Sequence, residues 1–106
     1  MNSAKIEREG AFRFQVHGAM TFEHAKSLLQ QSAALFASLP ELEVDLSRVE
    51  RADSAGLALM LEWMAQVAER DARVVYTGVP EAILSIARLC QVESLLDGVI
   101  VQTSSS

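Results

Sequence analysis

Hydrophobic and polar positions alternate with a period of two along Phe12-Arg13-Phe14-Gln15-Val16, which predicts a strand buried on one face, with a short partner strand before it around Ile6. After Thr21 the period lengthens. Ala25, Leu28, Leu29, Ser32 and Leu35-Phe36 recur at helical spacing as far as Pro40, and Thr21 is placed to cap the helix they describe. Leu42 to Leu46 is short and apolar, as a central strand is, and Asp45 and Ser47-Arg48 begin to break it. A second helix is expected over Ala55 to Arg70 and a strand over Val74-Val75-Tyr76. Gly78-Val79-Pro80 then turns into a third helix through Ile83, Ile86-Ala87 and Leu89, with Pro80 in the first helical position. Val99-Ile100-Val101 reads as a last edge strand. The alternation is that of an α/β chain, and no repeat or linker interrupts it, so residues 1–106 are read as one domain with a core over about 6–101 and a frayed polar tail at 102–106.

The second helix carries more apolar surface than a helix lying on a sheet requires. Leu57, Leu61, Met64 and Ala68 form one stripe, flanked by Met60, Val67, Trp63 and Leu59, and the apolar arc is about 200° wide against the roughly 100° needed. Leu57, Leu61 and Met64 are expected against the sheet. Leu59 and Trp63 lie near the edge of the arc and are candidates for an interface, Trp being enriched at binding hot spots; neighbouring helices covering Trp63 within the chain is an equal alternative.

The segment from Val44 to Leu57 joins the central strand to this helix. Asp53 or Ser54 can serve as N-cap, and Gly56 in the first turn lets a neighbouring backbone approach closely. A helix N-terminus carrying a hydroxyl, a carboxylate and free N–H groups is where an added charge or a docked partner is felt most strongly. The same residues also fit an ordinary strand–turn–helix connection in which Asp53 only caps.

The run Asp45-Leu46-Ser47-Arg48-Val49, then Arg51-Ala52-Asp53-Ser54-Ala55-Gly56-Leu57-Ala58-Leu59, resembles the signature of STAS domains, the fold of bacterial anti-sigma-factor antagonists and of the cytoplasmic tails of sulfate transporters. Val16-His17-Gly18-Ala19-Met20-Thr21-Phe22, and Ala87-Arg88-Leu89 with Val92 and Leu95-Leu96, are similar to the flanks of its MlaB branch, the small STAS subunits of Mla phospholipid ABC transporters. The resemblance implies a mixed sheet of four to five strands with three to four helices packed mainly on one face. It also implies a non-catalytic accessory subunit that binds and stabilises a cytosolic MlaF-like ATPase, and through it an MlaE-like permease and an MlaD-like carrier, in support of outer-membrane lipid asymmetry. The implied place is cytoplasmic, peripheral to the inner membrane. The docking surface expected is Asp53, Ser54, Ala55, Ala58, Leu59, Glu62 and Trp63, with Leu84 and Arg88 of the third helix.

The other reading within the family is an antagonist that binds a serine-kinase anti-sigma factor. In that branch the phosphorylated residue directly precedes the motif glycine; here that residue is Ala55, whose methyl group cannot accept phosphate. Ser54, one position earlier, is expected to make contacts or to cap, and its phosphorylation ranks low. A small-ligand sensor is a third possibility.

Composition narrows the field further. A net charge of -5 argues against nucleic acid or an anionic membrane as a direct partner. The single Cys90, flanked by Ile86, Leu89 and Val92, excludes an internal disulfide and reads as a buried, inert thiol. Neither a leader peptide nor a membrane span is expected. His17 and His24 lack a Cys or carboxylate at metal-ligand spacing, so no cofactor is expected. There is no glycine-rich phosphate loop, and no general base accompanies Ser54, so catalysis is not expected.

Overall fold

Phe14, Val16, Leu42, Val44, Val74 and Tyr76 are all buried, while Arg13, Gln15, Glu43 and Val75 between them are not. Their alternation aims one face of a sheet at a layer of helices and leaves the other to solvent. The computed structural model describes residues 3–101; Met1, Asn2 and the expected tail at 102–106 lie outside the described residues. The strands are β1 (Ala4–Arg8), β2 (Arg13–Met20), β3 (Glu41–Asp45), β4 (Val49–Ala52), β5 (Arg73–Thr77) and β6 (Ile100–Val101). The helices are α1 (Phe22–Leu35), α2 (Ser54–Ala68) and α3 (Glu81–Leu89), followed by a 3-10 turn over Glu93–Leu96. Pro80 stands at the N-cap of α3 rather than in its first turn.

The strand order is β1-β2-β3-β5-β6, with β1 antiparallel to β2 and the remaining pairs parallel. The expected four to five strands become six, because Val49–Ala52, within the connection between the central strand and α2, forms the additional strand β4. It exists because β2 outruns β3: Arg13 to Gln15 pair with β3, and Gly18 to Met20 take β4 as a second parallel neighbour on the same side. In sequence, Val-Glu-Arg-Ala has no apolar run to announce a strand.

The three helices cover one face, α2 in the middle with α1 and α3 beside it and β5 beneath. That arrangement accounts for the wide apolar arc of α2. Its buried positions are Gly56, Leu57, Leu59, Met60, Trp63 and Val67, so the stripe centres on Met60 and Trp63. Leu61 and Met64 are half-buried and Ala68 is exposed, which rotates the helix from the orientation expected. Tyr76 ties strand to helix, its buried hydroxyl donating to the Met60 carbonyl at 2.7 Å; burial pushes its pKa up.

Cys90 is exposed, which corrects the expected buried thiol. It is the C-cap residue of α3, where the chain turns through Gln91 at φ 60°, and Leu89 beside it is 87% exposed, so the apolar neighbours it has in sequence do not enclose it.

The open face of the sheet is held by charge. Arg13 of β2 pairs with Glu43 opposite it on β3 and reaches Asp45 at 3.4 Å, while Asp45 also accepts from Gln15 Nε2 at 3.1 Å and from the Ser47 N–H at 2.8 Å. Burial pushes the Asp45 carboxyl up, but the bonds from Ser47 and Gln15 and the charge of Arg13 outweigh it and hold its pKa below the ordinary value. A lowered carboxyl contributes stability that is fully present above its unfolded pKa of about 4 and is lost as pH falls through the folded value. Urea midpoints measured from pH 5 to pH 2 are expected to fall less steeply for Asp45→Asn than for the wild type; parallel curves would remove Asp45 from the acid response.

Candidate functional site

The starts of α1 and α2 are tied together by one side chain. Asp53 lies between β4 and α2 with extended backbone, and its Oδ1 accepts the Ala55 N–H at 2.9 Å, the N-cap bond of α2. Its Oδ2 accepts the Phe22 N–H at 3.2 Å and so satisfies the start of α1 as well. Thr21, expected to cap α1, occupies the N-cap position but makes no side-chain capping bond. The Asp53 N–H meanwhile donates to the Met20 carbonyl at 3.3 Å.

Gly56 permits this close approach. A Cβ there would lie 2.9 Å from the Met20 carbonyl oxygen and 3.2 Å from Ile83 Cδ1, so no larger residue fits between β2 and α3 without movement. The expectation that a backbone passes close to Gly56 is thus met, and Met20 is the residue that supplies it.

With the two helix starts fixed side by side, an open apolar groove of about 460 Å³ runs between them, lined by Phe22, Ala25 and Leu29 of α1 and by Ser54, Ala55, Ala58, Leu59 and Glu62 of α2. No Lys or Arg lines it. Phe22 stands on its rim 82% exposed, the large side chain the sequence analysis did not single out. The signal was there only as the end of the Val16 to Phe22 motif.

Asp53 apart, the structure sorts the expected docking residues into four groups. Ser54 and Ala58 are exposed, Ala55 is half-buried and Glu62 is exposed, paired with Gln66 Nε2 at 3.1 Å; these four meet at the groove. Leu59 lines it as floor and is 2% exposed, so it does not offer the free edge expected of it. Trp63 is fully buried: its indole N–H donates to Ser32 Oγ at 2.9 Å and its ring stands edge-on to Phe36 at 5.5 Å, so α1 covers it within the chain. Leu84 and Arg88 are not brought to the groove. They line a separate hollow with Leu96 and Ile100, where Arg88 pairs with Glu81 at 2.6 Å.

The sheet brings a carboxylate to one histidine, Glu7 Oε1 lying 3.1 Å from His17 Nε2, a neighbour that spacing along the chain did not reveal. The Glu7 pKa is lowered by Lys5 first and by His17 second. Among the described residues no group of three or more His, Cys, Asp or Glu is placed to hold a metal ion, and no helix is long and apolar enough to cross a membrane.

A family model described as "Mlab, STAS domain" matches residues 5–98. Among solved structures, the anti-sigma factor antagonist SpoIIAA in its unphosphorylated form is 14% identical, with a TM-score of 0.69 over 97% of this chain and 90% of that one. A sulfate transporter family protein from Wolinella succinogenes is 15% identical, with a TM-score of 0.66 over 91% and 80% of the two chains. At these identities the two likenesses establish the fold. No curated protein matches the chain in sequence.

Proposed function

This chain belongs to the STAS domain family, in its MlaB group, and we propose that it is a non-catalytic accessory subunit that binds and stabilises the ATPase of an inner-membrane phospholipid ABC transporter of the Mla type. The observation that carries the reading is the α1–α2 groove: a mostly apolar lining, with Glu62 its one charged residue, beside the motif residues Ser54 and Ala55 and with the exposed ring of Phe22 on its rim. Buried aromatic anchors in shaped hollows dominate binding energy at protein interfaces, and Phe22 is such an anchor awaiting a partner. A subunit that binds one conformation of an ATPase raises its population by mass action, without chemistry of its own. Permease and carrier would be reached through the ATPase, which places the chain at the cytoplasmic side of the inner membrane.

An antagonist of an anti-sigma factor would share the fold seen in SpoIIAA. Ala55 directly before Gly56 speaks against its phosphorylation switch, and no other observation favours it.

Tagged protein recovered from its own cells is expected to bring an ABC ATPase and permease with it. Ser54→Arg sets a long cation against the apolar groove, and Phe22→Ala removes the rim; each is expected to weaken capture at least ~10-fold, about 1.4 kcal/mol, while thermal melting stays near wild type. Variants that melt normally and bind the ATPase unchanged would put the surface elsewhere. Recovery of a serine kinase in place of the ATPase would move the protein to sigma regulation.

A further inference from the structure

The outer edge of β1 is occupied by a side chain. The ladder bonds that flank β1 join Ser3 to Ala19 and Glu9 to Arg13, so odd-numbered residues turn their backbone groups toward β2. Ala4, Ile6 and Arg8 therefore face away from it, along an edge that pairs with no other strand among the described residues. Such a row of unpaired N–H and C=O groups is a template for another chain. Gln31 of α1 reaches over this edge. Its Oε1 accepts the Ile6 N–H at 2.8 Å and its Nε2 donates to the Ala4 carbonyl at 3.2 Å. These are the two groups that a single residue of a parallel neighbouring strand would engage, and an antiparallel neighbour needs the Ile6 N–H as well. The amide is itself held, since Nε2 also donates to Ser27 Oγ one turn earlier at 3.1 Å.

We propose that the Gln31 carboxamide acts as a guard on the β1 edge, and that the partner it excludes is the β1 strand of a second copy of this chain. A primary amide suits the task because it presents one acceptor and one donor in the spacing of a peptide group. The remaining defences are weak: β1 has five residues, no proline and no bulge, and Lys5 and Glu7 neutralise one another at 2.8 Å. Arg8 is turned into the hairpin loop, donating to the Gly10 and Ala11 carbonyls. Two copies meeting edge to edge would join their sheets into one and bury Ile6 N–H in a ladder bond instead of a side-chain bond.

The test compares wild type, Gln31→Ala, and Gln31→Ala combined with Arg8→Pro, by size exclusion with light scattering up to about 1 mM, with circular dichroism to confirm the fold. Alanine deletes the amide without adding apolar bulk. Proline at Arg8 removes an N–H that faces the free edge and costs no bond to β2; the side-chain bonds it also removes, to the Gly10 and Ala11 carbonyls, lie in the hairpin loop. The wild type is expected at the mass of one chain, 11.6 kDa. Gln31→Ala is expected to rise toward twofold that mass with concentration, and the double variant to return to one chain. A folded Gln31→Ala that stays at one chain throughout would overturn the proposal. So would association that Arg8→Pro does not reverse, because the contact would then lie elsewhere.

Discussion

Replacing Trp63 with alanine is expected to lower the free energy of unfolding by about 3–5 kcal/mol, a third or more of what a domain of this size commonly has. The indole lies at the centre of α2 with no exposed surface, and it closes a stack in which Phe36 stands edge-on to it at 5.5 Å and to Phe14 at 4.9 Å. Deleting it leaves a cavity between α1 and α2, around which the structure relaxes only in part. It also strips Ser32 Oγ, itself 1% exposed at residue level, of the N–H it accepts. Trp63→Phe separates the two contributions: it keeps most of the ring packing and loses the hydrogen bond, so about 1–2 kcal/mol is expected. Urea unfolding of the three proteins checks both values. A loss under 1 kcal/mol for the alanine variant would be incompatible with the burial described.

Asp53→Ala is expected to cost about 2–3 kcal/mol, roughly twice a single cap, because one carboxylate ends two helices. Asp53→Asn is expected to fall between, keeping one carbonyl oxygen for one of the two N–H groups, Ala55 at 2.9 Å or Phe22 at 3.2 Å. Denaturant midpoints for the two variants decide this. A cost for alanine no larger than one ordinary cap, about 1 kcal/mol, would mean that the Phe22 bond contributes nothing. The variant also tests the groove. Asp53 sets Phe22 and Ser54 side by side and so acts on binding by positioning them, which predicts weaker capture of the ATPase by Asp53→Ala even under conditions where the variant is fully folded.

Much of the fold was legible because the chain obeys short-range rules. Period-two alternation at Phe12 to Val16 and the apolar segments at Leu42 and Val74 marked the three strands at the heart of the sheet, and helical spacing marked all three helices. What escaped was set by distant partners. β4 is a strand by virtue of the length of β2, not of its own residues. Thr21 is a good local cap, yet its side chain makes no capping bond, and the Phe22 N–H beside it is satisfied by a carboxylate brought by β4. The candidate site was half legible: the motif covers Ser54, Ala55 and Ala58, with Glu62 just beyond it, and these line the groove, but periodicity on α2 alone could not say which flank α1 would cover. Trp63 went inward because α1 offered it Ser32, a polar residue at a core position that a count of apolar residues passes over. Phe22, by contrast, is left outside although it is as apolar as any core residue, and only the geometry of the two helix starts showed this.

The double cap has a further consequence, in the order of events when the chain folds and breathes. The first turn of α1 is completed by a residue 31 positions later in the chain, so this helix cannot finish its own beginning. Until β4 and the start of α2 are in place, the Phe22 N–H has only water to bond with, and the two helix starts should form, and open, as one event. Amide exchange at Phe22 and Ala55 should therefore proceed at matched rates and slow together when the groove is filled, which makes a pair of backbone hydrogens a reporter of whether the partner surface is assembled.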